Sequence, residues 1–576
     1  MVVLVGSSGM TARRVGGVFA ALVCVFALSA GSASAAPKPL PQPVPVANDA
    51  LARALAAGRL SPARYTLERA RSLFRLGAVR REFGDVARPE PHAATLILRD
   101  LALRLRELDG SERREARRLL ARPSDGAGDP FGHGWGANES PDSPVCDDHI
   151  CIHWVDLADD PVNGPSAADT DSDGVPNWVE EVAQPTFATV WTKEIDAPPV
   201  GLGNPAPLSD DTSPNDGGQN EADPDRTKLD VYLADVGAVG LFGYCTSDDP
   251  RLDPDSGYQY YDISAYCVVD NDFAPDEFGI DWLPEEFLQV TAAHEFRHAS
   301  QFAEDAFEDW WFMEGDAMWT EGQVFPAVTD RFDYLDTSPL GNPSRALDHG
   351  ANYYEYGAWV FFRFLSEYFN DPAVIREAWN LANGSPLGLD QYSMQAVGNA
   401  TSARGTSLSS AFTIFTRWNR SPARFYEEGV DYPTAPAAAT YALKPSAPTT
   451  GWKTQKLRHL ASAHYSLKPG RGASSTGSLK VTVNLPGLAT KPAATLLVFL
   501  KSGGYSAKPI ALNSSGDGAR TVSFGRGVVS RVDLVLTNAS ARFNLSSCWT
   551  FTTTYSCGGA TAVDENRAYR FHAKLR

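Results

Sequence analysis

The residues best suited to chemistry lie in Thr291-Ala-Ala-His294-Glu295-Phe-Arg-His298-Ala-Ser-Gln. His294 and His298 are four apart, so on a helix both imidazoles leave one face, about one turn from each other. Two nitrogens at that spacing suit a tetrahedral zinc. Glu295 lies beside them and can take a proton from a metal-bound water. A catalytic zinc needs a third protein ligand and one open position. The stretch Trp311-Phe-Met-Glu314-Gly-Asp316-Ala-Met-Trp319-Thr-Glu321 offers it in Glu314, on the next predicted helix. Glu321 follows two turns later on the same face and reads either as a group that orients a zinc ligand from behind or as a solvated helix acid. Asp316 is a weaker candidate for a similar role. Trp310, Trp311, Phe312 and Trp319 read as core residues.

A second cluster is Asp169-Thr-Asp171-Ser-Asp173-Gly174-Val175-Pro-Asn177-Trp-Val-Glu180, which fits D-x-D-x-D-G-x5-E. Asp169, Asp171, Asp173 and Asn177 supply side-chain oxygens, Val175 its carbonyl and Glu180 two oxygens, with Gly174 at the sharp turn. Pro161 to Ala168 does not read as a helix, so this is at most half of an EF-hand. A structural calcium is expected.

The H-E-x-x-H motif with a downstream glutamate resembles the gluzincin metallopeptidases. The string W-x-x-E-G-x-A-x-W-x-E is similar to their aminopeptidase branch. Fifteen residues separate His298 from Glu314, fewer than in those enzymes, so the connection between the two helices is shorter. A wider resemblance runs from about Cys146 to Asn380, through the calcium-type loop, K-L-D-V-Y-L, both zinc-type strings and Y-E-Y-G-A-W-V-F-F-R-F-L. It is to a family of secreted bacterial gluzincin-type zinc metalloproteases with a helical leader and a C-terminal β domain. The resemblance implies zinc hydrolysis, and an oxyanion stabiliser from outside the zinc helices. Tyr356 is the first candidate for that role and His349 the second.

These residues must be positioned by the rest of a 576-residue chain that is 43% hydrophobic and 21% charged, a composition suited to globular domains. Its net charge of −19 argues against nucleic acid and anionic lipid as partners. Arg13 and Arg14, the apolar run Val15 to Ala30 and Ala33-Ser-Ala35 read as a secretory signal, 1–35, cut after Ala35 or Ala36. No other run is long enough to span a membrane. Of seven cysteines, Cys24 leaves with the signal. Proximity favours pairing Cys146 with Cys151, Cys245 with Cys267 and Cys548 with Cys557, and an exported chain favours disulfides.

Pro37 to Pro45 reads as a linker. The region 36–127 has helical periodicity and carries a charge of +7, against −28 for the chain beyond it. It is either a pro-segment covering an acidic cleft or a permanent helical domain. A Gly/Pro/Asp-rich stretch, Pro123 to Pro144, leads into the candidate catalytic region, 128–435. This has strands near Ile150 and Lys228 and helices over Leu283–Ala303 and Tyr356–Phe369. Asp431 to Thr450 reads as a linker, and 451–576, with short alternating runs, as a β-sandwich. The expected fold is an α+β zincin-like catalytic domain with a mainly helical core, a helical leader and a C-terminal β-sandwich.

The function expected is a secreted, extracellular, monomeric zinc peptidase acting on protein or peptide substrates. The alternatives are a non-catalytic surface protein whose zinc is structural or lost, and a zinc hydrolase of other amides or esters.

Overall fold

The computed structural model of the chain describes residues 47–128, 144–208, 228–279, 282–542 and 562–576. The signal segment, the Pro37–Pro45 linker and the Cys548/Cys557 pair lie outside these residues. The described fold is α+β, helical at its N-terminal side and built of sheets at its C-terminal side.

The N-terminal region holds α1 (Ala50–Ala56), α2 (Pro62–Phe74), α3 (Leu76–Phe83), α4 (Ala94–Ala102) and α5 (Gly110–Leu119). Local chemistry starts them. Asp49 Oδ1 accepts the Ala52 N–H at 3.0 Å, and Ser61 Oγ accepts that of Arg64 at 3.1 Å with Pro62 opening the helix. A tight turn, Pro91–Ala93, leads into α4.

The central region opens with β1 (Val145–Cys146) and β2 (Ile150–His153). After the acidic loop and a π-type turn, Trp178–Ala183, come α6 (Gln184–Glu194), β3 (Leu229–Ala234), β4 (Gly243–Thr246) and β5 (Tyr266–Asp270). The sheet order is β1-β2-β3-β5-β4, with β2, β3 and β5 parallel and both outer strands antiparallel to their neighbours. Strands β4 and β5 are buried along their whole length, as expected of a sheet covered on both faces. Two disulfides join residues directly opposite in register: Cys146–Cys151 across β1 and β2, and Cys245–Cys267 across β4 and β5.

A helical layer follows: α7 (Pro275–Phe278), α8 (Pro284–Asp305), α9 (Trp310–Val324), α10 (Tyr354–Gly357), α11 (Trp359–Phe369), α12 (Ala373–Ala382), α13 (Met394–Ala403), α14 (Leu408–Trp418) and α15 (Pro422–Phe425). Helix α8 starts with Pro284, and Glu286 reaches back to the Leu283 N–H at 3.1 Å. It packs on β4 and β5, and α4 also lies against β4. One apolar core runs through the leader, the sheet and this layer, from Leu96 and Leu101 through Val231 and Tyr244 to Phe296, Trp311 and Trp359. The aromatic residues around Glu314 belong to that core.

The C-terminal region holds β6 (Ala437–Leu443), β7 (Lys453–Leu457), β8 (Ala461–Pro469), β9 (Ser478–Asn484), β10 (Pro492–Leu500), β11 (Tyr505–Pro509), β12 (Asp517–Ser523), β13 (Val529–Asn538) and β14 (Arg567–Leu575). They form two sheets, β11-β10-β13-β8-β6 and β12-β9-β14-β7, which share one apolar core. The stretch 431–450, expected to be a linker, contains β6. Its Ala/Thr-rich composition hides a strand that pairs in parallel with β8. Where the sheets meet the helical layer, His459 is clamped between Asp348 Oδ1 at 2.8 Å and Glu565 Oε2 at 2.6 Å. Arg420 and Asp533 form a buried pair at 2.6 Å nearby. Among the described residues, no helix is long and apolar enough to cross a membrane.

Candidate metal centre

Helix α8 projects His294 and His298 toward α9, and α9 returns Glu314. The two Nε2 atoms stand 3.1 Å apart, Glu314 Oε2 is 3.1 Å from His294 Nε2, and it is 3.4 Å from His298 Nε2. Donor atoms on a tetrahedral centre with bonds of about 2.0–2.1 Å are separated by about 3.3 Å, so the triangle has the size a zinc ion requires. Gly315 allows the close packing behind it. A Cβ there would stand 2.8 Å from Phe362 Cε2 and 3.1 Å from Ala358 Cβ. This approach of α10 and α11 brings Tyr356 toward Glu314.

The groups behind the imidazoles decide where their protons sit. His294 Nδ1 donates to Glu321 Oε1 at 2.6 Å. His298 Nδ1 donates to Gln301 Oε1 at 2.8 Å. The Gln301 amide cannot be reversed, because its nitrogen donates to Met313 O and to Asp316 Oδ2, each at 3.1 Å. Asp316 is held in turn by Arg297 Nε at 2.7 Å. When the rings are neutral, both Nε2 atoms are therefore bare lone pairs, and they converge with a carboxylate. Three acceptors meeting in a fully buried space fit a cation between them. Burial opposes charge on each group. With no ion between them, the same contacts favour charged rings instead: the two imidazoles hold the Glu314 carboxyl down at about 2, and Glu314 and Glu321 lift the His294 ring well above its ordinary value.

Glu295 is fully buried, and burial raises its pKa. Its Oε2 accepts a hydrogen bond from Thr95 of the leader at 2.6 Å, and its Oε1 has no partner. Tyr356 is buried, with its hydroxyl unpartnered and its ring centroid 5.8 Å from that of His92. Burial raises its pKa, and Glu314 raises it further. His349 lies elsewhere: its ring faces Tyr354 at 6.1 Å, and its charged neighbours are Arg345, Asp348 and Arg458. Asp316 works through Arg297 and Gln301. Thr95, His92 and Gln301 carried no sequence signal, being a threonine, a histidine and a glutamine outside any motif.

In the acidic loop, one oxygen each from Asp169, Asp171 and Asp173 lies within 4.8 Å of the others. Asp169 also accepts the Ser172 N–H at 2.7 Å and the Gly174 N–H at 3.1 Å, with Gly174 at φ +98°. Glu180, on the π-type turn, sits near enough for the three aspartates to add to burial in raising its pKa. Among the described residues, no Lys or Arg ion pair reaches these four carboxylates. That donor set fits calcium. Asn177 closes the loop instead of pointing only inward: its Oδ1 accepts the Thr170 N–H at 2.8 Å, and its Nδ2 donates to Thr170 Oγ1 at 3.0 Å.

No protein-family model matches the chain, and no curated protein matches it. Among solved structures it is similar to the pre-peptidase C-terminal domain of a collagenase from Bacillus anthracis, with 9% identity over 24% of this chain and 97% of that one, at a TM-score of 0.14. It is also similar to a family GH115 4-O-methyl-α-glucuronidase with specificity for decorated arabinogalactans, with 8% identity over 51% of this chain and 38% of that one, at a TM-score of 0.13. Both likenesses are too slight to carry a fold or a function.

Proposed function

We propose that the chain is a secreted zinc-dependent peptidase of the gluzincin type, with a zincin-like catalytic unit stabilised by calcium. The observation that carries the reading is the triangle of His294 Nε2, His298 Nε2 and Glu314 Oε2, with both Nδ1 protons committed behind it. The cross-strand disulfides suit an oxidising compartment and support export.

His294, His298 and Glu314 would hold the metal. Zinc bound there supplies a Lewis acid that polarises a carbonyl and acidifies water. Glu295 Oε1 takes the proton of the attacking water. Burial makes that carboxyl a better proton holder than a free glutamate, so it can carry the proton to the leaving amine nitrogen. The Tyr356 hydroxyl donates to the oxygen on which negative charge develops. Glu321 and Gln301 keep the imidazoles facing inward.

The test is metal content beside chelator-sensitive hydrolysis of a peptide library. Wild type should hold about one zinc per chain, the stoichiometry of a single three-ligand site, and His298→Ala should hold none. In a form of the chain that hydrolyses peptide, Glu295→Gln should keep its zinc and lose turnover by about 10²–10⁴-fold. A Glu295→Gln variant as active as wild type would sink the mechanism.

A further inference from the structure

We propose that residues 90–99 of the helical leader plug the metal centre, with His92 filling the open side of the metal position and Thr95 holding the Glu295 carboxylate. The proposal rests on the zinc reading above and adds to it a ligand-facing group and a state of the intact chain.

His92 belongs to the turn that precedes α4, yet its ring lies 5.0 Å from that of His294. One atom each from His92, His294 and Glu295 lies within 4.8 Å of the others. The His92 side chain is buried, and its Nδ1 has no hydrogen-bond partner. An unpartnered imidazole nitrogen is costly to bury, and the ring that carries it lies against the ligand histidine His294. Phe242 at 4.9 Å and Tyr356 at 5.8 Å wall the ring in.

Three residues further on, Thr95 Oγ1 accepts the Cys245 N–H at 2.8 Å and gives its own proton to Glu295 Oε2. The leader thus occupies one oxygen of the residue that must take a proton from water. One turn later, Arg99 Nη1 donates to Ala306 O at 2.9 Å and Glu308 O at 3.0 Å. Those carbonyls form the corner between α8 and α9, so α4 is fastened across both ligand-bearing helices.

The consequence is steric. His294, Glu295, His298, Glu314 and Tyr356 are all fully buried. A catalytic zinc requires an open position that substrate can reach, and with α4 in place no peptide bond reaches Glu295. The fastening is apolar, through Leu96 and Leu101 in the shared core, and also ionic, matching a basic leader to an acidic body: Arg122 pairs with Asp230 at 2.6 Å and Asp248 at 2.9 Å, and Arg117 with Asp253 at 2.5 Å. The intact chain is therefore latent, and activity requires residues 90–99 to leave.

The experiment uses the full chain, with leader attachment checked by intact mass. Wild type, His92→Ala, the size-conserving His92→Gln and the near-isosteric Thr95→Val are compared. The readouts are zinc stoichiometry, the rate of zinc transfer to a chelator, the visible spectrum of the cobalt(II) form and peptide hydrolysis. Both His92 variants should release zinc about tenfold or more faster and change the cobalt spectrum, since the group facing the metal is gone. Because α4 still covers Glu295, wild type and all three variants should hydrolyse no peptide while intact mass shows the leader attached. A zinc-loaded wild type that hydrolyses peptide with its leader attached, or His92 variants that match wild type in spectrum and release rate, would overturn the plug while leaving the zinc reading intact. A wild-type chain that binds no zinc would overturn both.

Discussion

Gln301 accepts the Nδ1 proton of His298 at 2.8 Å in an orientation it cannot reverse, because its amide nitrogen is spent on Met313 O and Asp316 Oδ2. A glutamine one turn along α8 thereby sets which nitrogen of a ligand histidine faces the metal. Gln301→Leu removes that acceptor at similar volume. Zinc affinity should fall by about 10–100-fold, the usual cost of losing a group behind a metal-bound histidine. Chelator competition measures it, and a thermal melt run beside it separates lost affinity from lost fold.

Tyr356→Phe deletes one buried, unpartnered hydroxyl and little else. Zinc content should be unchanged. In a chain free of its leader contact, kcat should fall by about 10²–10³-fold, as for loss of one oxyanion donor. An equal loss in His349→Phe would show that the stabiliser had been assigned to the wrong residue.

The acidic loop predicts a calcium-dependent melting temperature. Exchanging a chelator for calcium at a hundred times its Kd should stabilise the chain by about 2.7 kcal/mol. Asp171→Asn with Asp173→Asn should abolish the shift. Calorimetry with and without calcium checks this, and an unmoved wild-type melt would remove calcium from the account.

His459 predicts a loss of stability on the alkaline side. Burial opposes its charge, but Asp348 and Glu565 outweigh that and lift its pKa to about 9. Because this lies above the unfolded value, the contribution is fully present below about pH 6.5 and is lost as pH rises through about 9. The gap corresponds to on the order of 3 kcal/mol. Denaturant melts from pH 6 to pH 10 should show that decline in wild type and a flatter profile in His459→Gln.

The site was legible in sequence where helical geometry alone places it. His294 and His298 share a face by their spacing, and Glu321 falls two turns beyond Glu314. Gln301 escaped notice because a helix glutamine has no signature until its neighbours are known. Thr95 meets Glu295 across two hundred positions, and nothing local announces such a contact. In the fold, β9 was legible because its burial alternates, whereas β4 and β5 are short, wholly buried runs without alternation. Strand β6 was hidden because alanine and threonine there look like spacer composition, and only pairing with β8 makes them a strand.

That placement of β6 matters to anyone who would separate the C-terminal sheets from the rest. A piece starting at residue 451 would retain most of the apolar core, losing Leu443, and shed its outermost strand, baring the backbone amides and carbonyls of β8. Such an edge is a template for pairing with another chain. The fragment cut there should self-associate, while one beginning ahead of Ala437 carries its own cover.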